Sequence, residues 1–125
     1  MKNLSFDENL GPGTGLKWGS AEDSDFLLQA LAAGYKLYYL PELTVYHKEP
    51  VIGFSEAAIR RSYYYSLGLG RVFKKHHYTI DFVFIKLFSQ MVRMIVALAQ
   101  MDLQRFKFHW AVLRGRLEGW IEPYC

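Results

Sequence analysis

The distribution of apolar and polar residues divides the chain into a loop-rich start and a series of regular elements. Glycines and a proline recur across residues 6–19, which predicts a loop. Apolar positions then recur at helical spacing across residues 21–33. Ser20 followed by Asp23 resembles a capping box, and Gly34 is placed to end the helix. The first regular element is therefore predicted to be a helix.

The next segment has the composition of a β-hairpin. Residues 35–40 and 43–47 are rich in aromatic and β-branched side chains, and Pro41-Glu42 separates the two runs. Such side chains favour strands, and the dipeptide between them favours a turn. We therefore expect two short strands before Pro50 and Gly53 interrupt the pattern.

Three helices are predicted in the remainder of the chain. Ser55 is placed to cap a helix that runs to about residue 67, where Gly68 and Gly70 end it. Residues 71–77 form either a basic connector or a continuation of that helix. A longer helix is expected over residues 79–104, and a short final helix over residues 103–117.

The long segment over residues 79–104 carries a narrow polar stripe on an otherwise apolar helix. The stripe consists of Lys86, Ser89, Gln90, Arg93, Gln100 and Gln104, with Ala97 in the gap. The charges of Asp81, Lys86 and Arg93 leave no uncharged run of about 18 residues, the length typical of a membrane-spanning helix. The pattern therefore favours a helix packed in protein or lying in a membrane surface.

Composition and charge give the chain two unlike parts. The 125 residues are 51% hydrophobic and 22% charged, which suits a packed core and excludes a disordered chain. Residues 1–50 carry four basic and seven acidic groups, whereas residues 51–125 carry eleven and five. We expect an acidic part over 1–50 and a basic helical part over 51–125. The lone Cys125 excludes an internal disulfide and a cysteine metal cluster, and it favours the cytoplasm.

The strongest chemical signal is Glu22-Asp23-Ser24-Asp25, which follows the glycine-rich loop and opens the first helix. Three carboxylates in four residues repel one another and need a cation, a proton or the helix dipole nearby. A carboxylate at such a junction can act as a general base toward a bound hydroxyl. Acidic residues are also common in the first turn of a helix. Spacing alone therefore favours a structural role over catalysis.

The histidines and the basic second part give weaker signals. His47 ends a predicted strand and is a candidate metal ligand, although a lone histidine there is more often a surface residue. His76 and His77 are adjacent, would point to different sides, and are interpreted as solvated. The chain contains neither a nucleotide-binding glycine fingerprint nor a nucleophile elbow. Nucleic-acid binding is disfavoured because no recognised module accompanies the basic residues.

The order of several motifs resembles the second half of a bacterial family 2 glycosyltransferase with a GT-A fold. The resemblance spans nearly the whole chain. Its motifs in the first part are Phe6-Asp7-Glu8-x-Leu10-Gly11-x-Gly13, Glu22-Asp23-x-Asp25-Phe26, Gly34-Tyr35-Lys36, Pro41 and Val45-x-His47. Those in the second part are RSYYYSLGLG at 61–70, Lys74-Lys75-His76 and LRGRLEGW at 113–120. Each motif is weak alone, and the ordered set is more specific.

The resemblance implies an inverting transfer of a sugar from a nucleotide-sugar donor to a hydroxyl of a glycan or lipid-linked acceptor. In this comparison Asp23 corresponds to the catalytic base, and Glu22 to the acidic residue that supports it. The comparison also assigns acceptor contacts, diphosphate or donor contacts and a metal ligand. These are Asp7, Glu8 and Trp18 for the acceptor, His47, Arg60 and Arg61 for the diphosphate and donor, and His47 for the metal.

The resemblance further implies an α/β fold, a partial GT-A fold that lacks its nucleotide-binding half. The chain alone is expected to be mostly helical with a short β-hairpin. It contains no Asp-x-Asp after a donor-binding strand, so we interpret it as a C-terminal fragment that is inactive alone. The fragment alone is expected to need no cofactor, whereas the full-length enzyme uses Mg²⁺ or Mn²⁺. Its partners are then the missing N-terminal half, the substrates and a membrane surface.

Two other classes of function remain open at this stage. The first alternative is a non-catalytic helical interaction module, in which the acidic cluster only caps a helix. The second is a basic nucleic-acid binder, whose binding would be sensitive to salt. In the leading interpretation the protein is cytoplasmic, or peripheral at the inner face of the membrane.

Overall fold

The computed structural model describes residues 3–48 and 53–123, and all regular structure in these ranges is helical. Four helices follow one another along the chain: α1 (Glu22–Ala32), α2 (Glu56–Lys75), α3 (Ile80–Ala99) and α4 (Leu103–Ile121). Helix α4 packs against both α2 and α3, while α1 and the loop before it lie against α2. Pro50 and Cys125 lie outside the described residues.

The prediction of an α/β fold with a β-hairpin is wrong, because residues 3–48 and 53–123 contain no strand. Residues 35–40 and 43–47 are irregular instead. Tyr39 is 89% exposed and Tyr46 is 94% exposed. Strand propensity takes effect when a segment has a neighbouring strand and a face to bury, and an isolated hairpin is marginal in water. The composition of this segment was strand-like, but nothing in the described chain offers it a sheet.

Helix α2 does not end near residue 67, but continues through Gly68 and Gly70 to Lys75, which confirms the alternative that the basic segment continues the helix. Gly70 lies where the backbones of α2 and α4 meet, and Gly68 lies against the backbone of Ser20. A Cβ on Gly70 would collide with the carbonyl oxygen of Arg116 in α4, and one on Gly119 of α4 would collide with that of Leu67. These glycines are therefore contact residues. Their missing side chains allow two helices to approach backbone to backbone, as small residues do at other close helix crossings.

The start of α1 differs from the predicted capping box. The N-cap is Ala21, with φ 74°, and no side chain caps the helix. Ser20 donates its hydroxyl to the carbonyl oxygen of Tyr65 in α2 at 2.8 Å. The residue expected to cap α1 therefore fastens the loop to α2. By contrast, Ser55 does cap α2 as predicted, because its hydroxyl accepts from the Ala58 amide.

The helix predicted over residues 79–104 is interrupted near its C-terminal end. Helix α3 ends at Ala99, Met101 adopts φ 53°, and Asp102 caps the start of α4 by accepting from the Arg105 amide. Helix α4 then extends past residue 117 to Ile121. The turn at residues 100–102 folds α4 back along α3.

Helix α3 packs with one narrow side inward. Of the predicted polar stripe, Gln90 is buried on that side, whereas Lys86 and Arg93 are exposed. The buried residues of the helix are Val83, Gln90 and Ala97, and they lie on the side that packs on the rest of the protein. The opposite side is apolar and exposed. We define the α3 outer face by these exposed residues: Phe84, Ile85, Phe88, Met91, Val92, Ile95 and Leu98. An apolar face of this length is normally covered in a soluble protein, and here the described residues leave it open.

Candidate functional site

The carboxylates at the start of α1 occupy three different environments. Asp25 is completely buried. It accepts hydrogen bonds from Lys75 Nζ at 2.7 Å and from Gln29 Nε2 at 2.8 Å, and 2.7 Å separates its Oδ1 from His76 Nε2. These contacts join the first turn of α1 to the last turn of α2. Asp25 therefore holds the fold together and is inaccessible to a substrate.

Lys75 also links the loop before α1 to this contact between α1 and α2. Its ammonium group donates to Asp7 Oδ2 at 2.8 Å, and Asp7 accepts in addition from the backbone and side chain of Asn9. Burial alone would raise the pKa of Asp7, but the hydrogen bonds from Lys75 and Asn9 outweigh it and hold that pKa below its usual value. Asp7 was expected to bind acceptor hydroxyls, and the structure places it in an ion pair.

Glu22 is half-buried against the glycine-rich loop. A Cβ on Gly11 would lie 3.0 Å from Glu22 Cδ, so the carboxylate rests directly on the loop backbone. Gly11 also has φ +106°, a conformation that favours glycine. The loop and the first residue of α1 are therefore fitted to each other.

Asp23 is exposed, unlike Asp25. The predicted pairing of Asp23 with Ser20 in a capping box is absent, since Ser20 bonds to Tyr65 and α1 has no side-chain cap. Asp23 therefore lies in the first turn of α1, where acidic residues are favoured, but it does not form the predicted capping box. Its carboxylate is open to solvent, where it can meet a hydroxyl from a bound molecule.

The other residues expected to bind the acceptor are Glu8 and Trp18. Glu8 is exposed in the loop. Trp18 is half-buried, and the guanidinium carbon of the buried Arg71 lies 3.8 Å from the centroid of its ring. Lys17 Nζ also lies 5.5 Å from the ring centroid, so the Trp18 ring already contacts two cations.

The residues expected to bind the donor are exposed. Arg60 and Arg61 lie in the second turn of α2, where Arg61 donates to the Tyr65 hydroxyl at 2.9 Å. His47 lies in the irregular segment before residue 48. No group of three or more His, Cys, Asp or Glu side chains able to hold a metal ion occurs within residues 3–48 and 53–123.

Sequence reasoning missed the partners of Asp25. His76 was interpreted as solvated, which is wrong, because it contacts the buried carboxylate. Lys75 was assigned to a basic connector or helix continuation, with no partner named. The available signal was the surplus of basic residues at 71–77 opposite three carboxylates. That surplus identifies Lys75 as the partner of Asp25 only because α2 continues to residue 75.

Comparisons with protein-family models, with curated proteins and with solved structures found no match for this chain. The chemistry of the described residues and the order of the sequence motifs are therefore the basis for a function.

The Asp7–Lys75 ion pair predicts a specific loss of stability in acid. Because folding lowers the pKa of Asp7, its contribution is fully present above the ordinary value of 3.8 and is lost as the pH falls through the lower folded-state value. Urea unfolding of the wild type and of Asp7→Asn between about pH 5 and pH 2 measures this contribution. We expect the decline in unfolding free energy to be shallower in Asp7→Asn.

Glu8→Gln is the matched control, since it removes a neighbouring exposed carboxylate that forms no ion pair within the described residues. Its unfolding free energy should decline with pH as in the wild type. Equal slopes for the wild type and Asp7→Asn would contradict the assignment of this ion pair.

Proposed function

We propose that this chain supplies the acceptor side of an inverting family 2 glycosyltransferase, with Asp23 as the general base. The observation that carries the proposal is the division of the acidic turn. Asp25 is buried in hydrogen bonds and Glu22 rests on the loop, whereas Asp23 is exposed. Among the three, Asp23 is the carboxylate that an acceptor can reach, and it is also the one that the motif order assigns to catalysis.

The proposed reaction is a single displacement. The acceptor hydroxyl oxygen forms a bond to the anomeric carbon while the bond from that carbon to the nucleoside diphosphate breaks. Asp23 takes the hydroxyl proton, so the acceptor attacks as the stronger nucleophile and the diphosphate leaves with the bonding electrons. Asp25, Lys75 and His76 act by holding α1 in place. Accurate positioning of the base is a large part of such catalysis.

The described residues do not form a divalent-metal site, so no step is assigned to a metal within them. The proposal places the Mg²⁺ or Mn²⁺ and most donor contacts on polypeptide other than residues 3–48 and 53–123. His47, Arg60 and Arg61 would approach the diphosphate from this side, and Glu8 and Trp18 would contact the acceptor. The exposed aromatic segment at 35–48 supports this arrangement because it offers a surface for further polypeptide. The chain alone is then inactive.

Replacement of the base tests this proposal in the full-length enzyme. Asp23→Asn keeps the shape of the side chain and removes its basicity, so sugar transfer from the nucleotide-sugar should fall by about 10²- to 10⁴-fold. Transfer of labelled sugar to the acceptor is the measurement, with circular dichroism to verify folding.

Asp81→Asn is the matched control, because Asp81 is also exposed in the first turn of a helix. It should leave the transfer rate within about twofold of the wild type, as expected for a surface substitution. Retention of activity in a folded Asp23→Asn enzyme would refute the assignment and favour the non-catalytic interaction module. Transfer by the purified 125-residue chain would refute its proposed dependence on a second part.

We also infer that the protein is peripheral at a membrane surface through the α3 outer face. The helix Ile80–Ala99 is long and apolar enough to cross a bilayer. Of its apolar 18-residue stretch, however, only 17% is buried. A core helix of a soluble protein would be mostly covered. The exposed residues recur every three or four positions, so they form one side of α3, while Gln90 and Ala97 face inward. This geometry suits a helix that lies in the membrane–water interface. The excess of basic residues at 51–125 favours a membrane surface that contains anionic lipids.

Substitution of two outer-face residues tests the membrane contact. Ile95→Ser/Leu98→Ser removes two apolar side chains from the α3 outer face and should weaken binding to vesicles of phosphatidylcholine with phosphatidylglycerol by about tenfold. Leu40→Ser/Leu43→Ser is the control, since these aliphatic side chains are also exposed but lie in the irregular segment. Absence of vesicle binding, binding insensitive to the anionic lipid, or equal weakening in both variants would contradict the inference.

A further inference from the structure

A cavity of about 490 Å³ lies where the start of α1 meets α2, α3 and α4. Its size falls within the range of small-molecule sites, which is about 300–1,000 Å³. Asp23 and Asp25 do not line it. The polar residues that do line it include Ser24 of α1, Ser62 of α2, Gln90 and Arg93 of α3, and Arg116 of α4.

Two arginines give the cavity its charge. Arg93 and Arg116 come from different helices, and neither forms an ion pair with a carboxylate in the described part of the chain. Burial, with the neighbouring charge of Arg93, lowers the pKa of Arg116. Two like charges beside one cavity repel each other, and a bound anion would relieve that repulsion.

Arg116 has a hydrogen-bond donor that lacks an acceptor in the described chain. One of its terminal nitrogens donates to the carbonyl oxygen of Lys86 at 3.2 Å, which fixes the side chain between α4 and α3. Its Nε is buried and has no hydrogen-bond partner in the described chain. A buried N–H without an acceptor is costly, so this atom is a second, independent sign that an oxyanion belongs here.

The lining also determines which kind of anion fits. Gln90 is held at the wall of the cavity by a 3.0 Å contact between its Oε1 and Nδ1 of the buried His109. Leu69, Phe108 and Val112 supply an apolar part of the lining. A guanidinium group matches phosphate oxygens in pairs, and two such groups match a doubly charged anion. An apolar wall beside them suits an organic group attached to the phosphate.

We propose that this cavity is a binding site for a phosphate or diphosphate group, held by Arg93 and Arg116. The ligand is either a soluble organic phosphate or the phosphate head of a membrane amphiphile. The second source is compatible with the position of Arg93 on the helix that carries the α3 outer face. The site does not depend on the proposed transferase activity, and its test involves no transfer reaction.

The first arm of the experiment uses inorganic pyrophosphate, titrated into the purified chain at low salt and followed by calorimetry. The second uses phosphatidylcholine vesicles that contain either phosphatidic acid or phosphatidylglycerol.

Arg93→Gln is the test variant, since Arg93 is exposed and its removal leaves the Arg116–Lys86 contact in place. Lys107→Gln is the charge-matched control, from an exposed lysine outside the cavity. Arg116→Lys, which retains the charge but not the guanidinium fork, is a second variant.

A soluble ligand predicts saturable pyrophosphate binding that Arg93→Gln weakens at least tenfold and Lys107→Gln less than twofold. A membrane ligand predicts preference for phosphatidic acid over phosphatidylglycerol, which Arg93→Gln abolishes and Lys107→Gln retains. In whichever arm shows binding, Arg116→Lys should also weaken it. Equal behaviour of Arg93→Gln and Lys107→Gln in both arms, or no binding in either, would overturn the proposal.

Discussion

The backbone-to-backbone contact between α2 and α4 determines the rest of the structure. Gly70 and Gly119 lie where a single added carbon would meet a carbonyl oxygen of the facing helix. Because the contact holds α2 helical past its glycines, the helix reaches Lys75 and brings it to the buried Asp25. The position of α1 therefore depends on a packing constraint at the other side of α2. Gly68, which approaches the backbone of Ser20, places the entry to α1 in the same way.

This arrangement separates residues that are adjacent in sequence into different tasks. Asp25 compensates the charge of Lys75 and is removed from solvent, so its neighbour Asp23 can remain exposed on a fixed helix. A rigid helix that presents one accessible carboxylate is a suitable support for a general base. Arg93 and Arg116, which form no ion pair within the described residues, line a cavity that Asp23 and Asp25 do not line. The carboxylates of α1 and the two arginines are therefore near each other but belong to separate sites.

The sequence predicted the local features that depend on local chemistry. The loop at 6–19 follows from its glycines, and the cap at Ser55 follows from a hydroxyl at the start of a helical pattern. The failures arise where tertiary contacts override propensity. Gly68 and Gly70 are poor helix formers that remain helical because the backbones of Ser20 and α4, respectively, approach them too closely for a side chain. Residues 35–47 have strand composition without a sheet. The polar stripe predicted over 79–104 extends past the end of α3, and most of it is exposed. Gln90 is buried because α4 packs on that side, which no pattern within α3 reveals.

The central claim is that two carboxylates of one helical turn differ in their contribution to the fold: Asp25 is structural, whereas Asp23 is not needed for stability and is available as the proposed base. The unfolding free energies of Asp25→Asn and Asp23→Asn, measured by urea denaturation at neutral pH, test it most directly. Asp25→Asn should lose about 2–4 kcal/mol, because Lys75 and His76 then face a neutral group in a buried site. Asp23→Asn should remain within about 0.5 kcal/mol of the wild type, as an exposed residue without a structural contact does. Similar losses in the two variants would contradict the account.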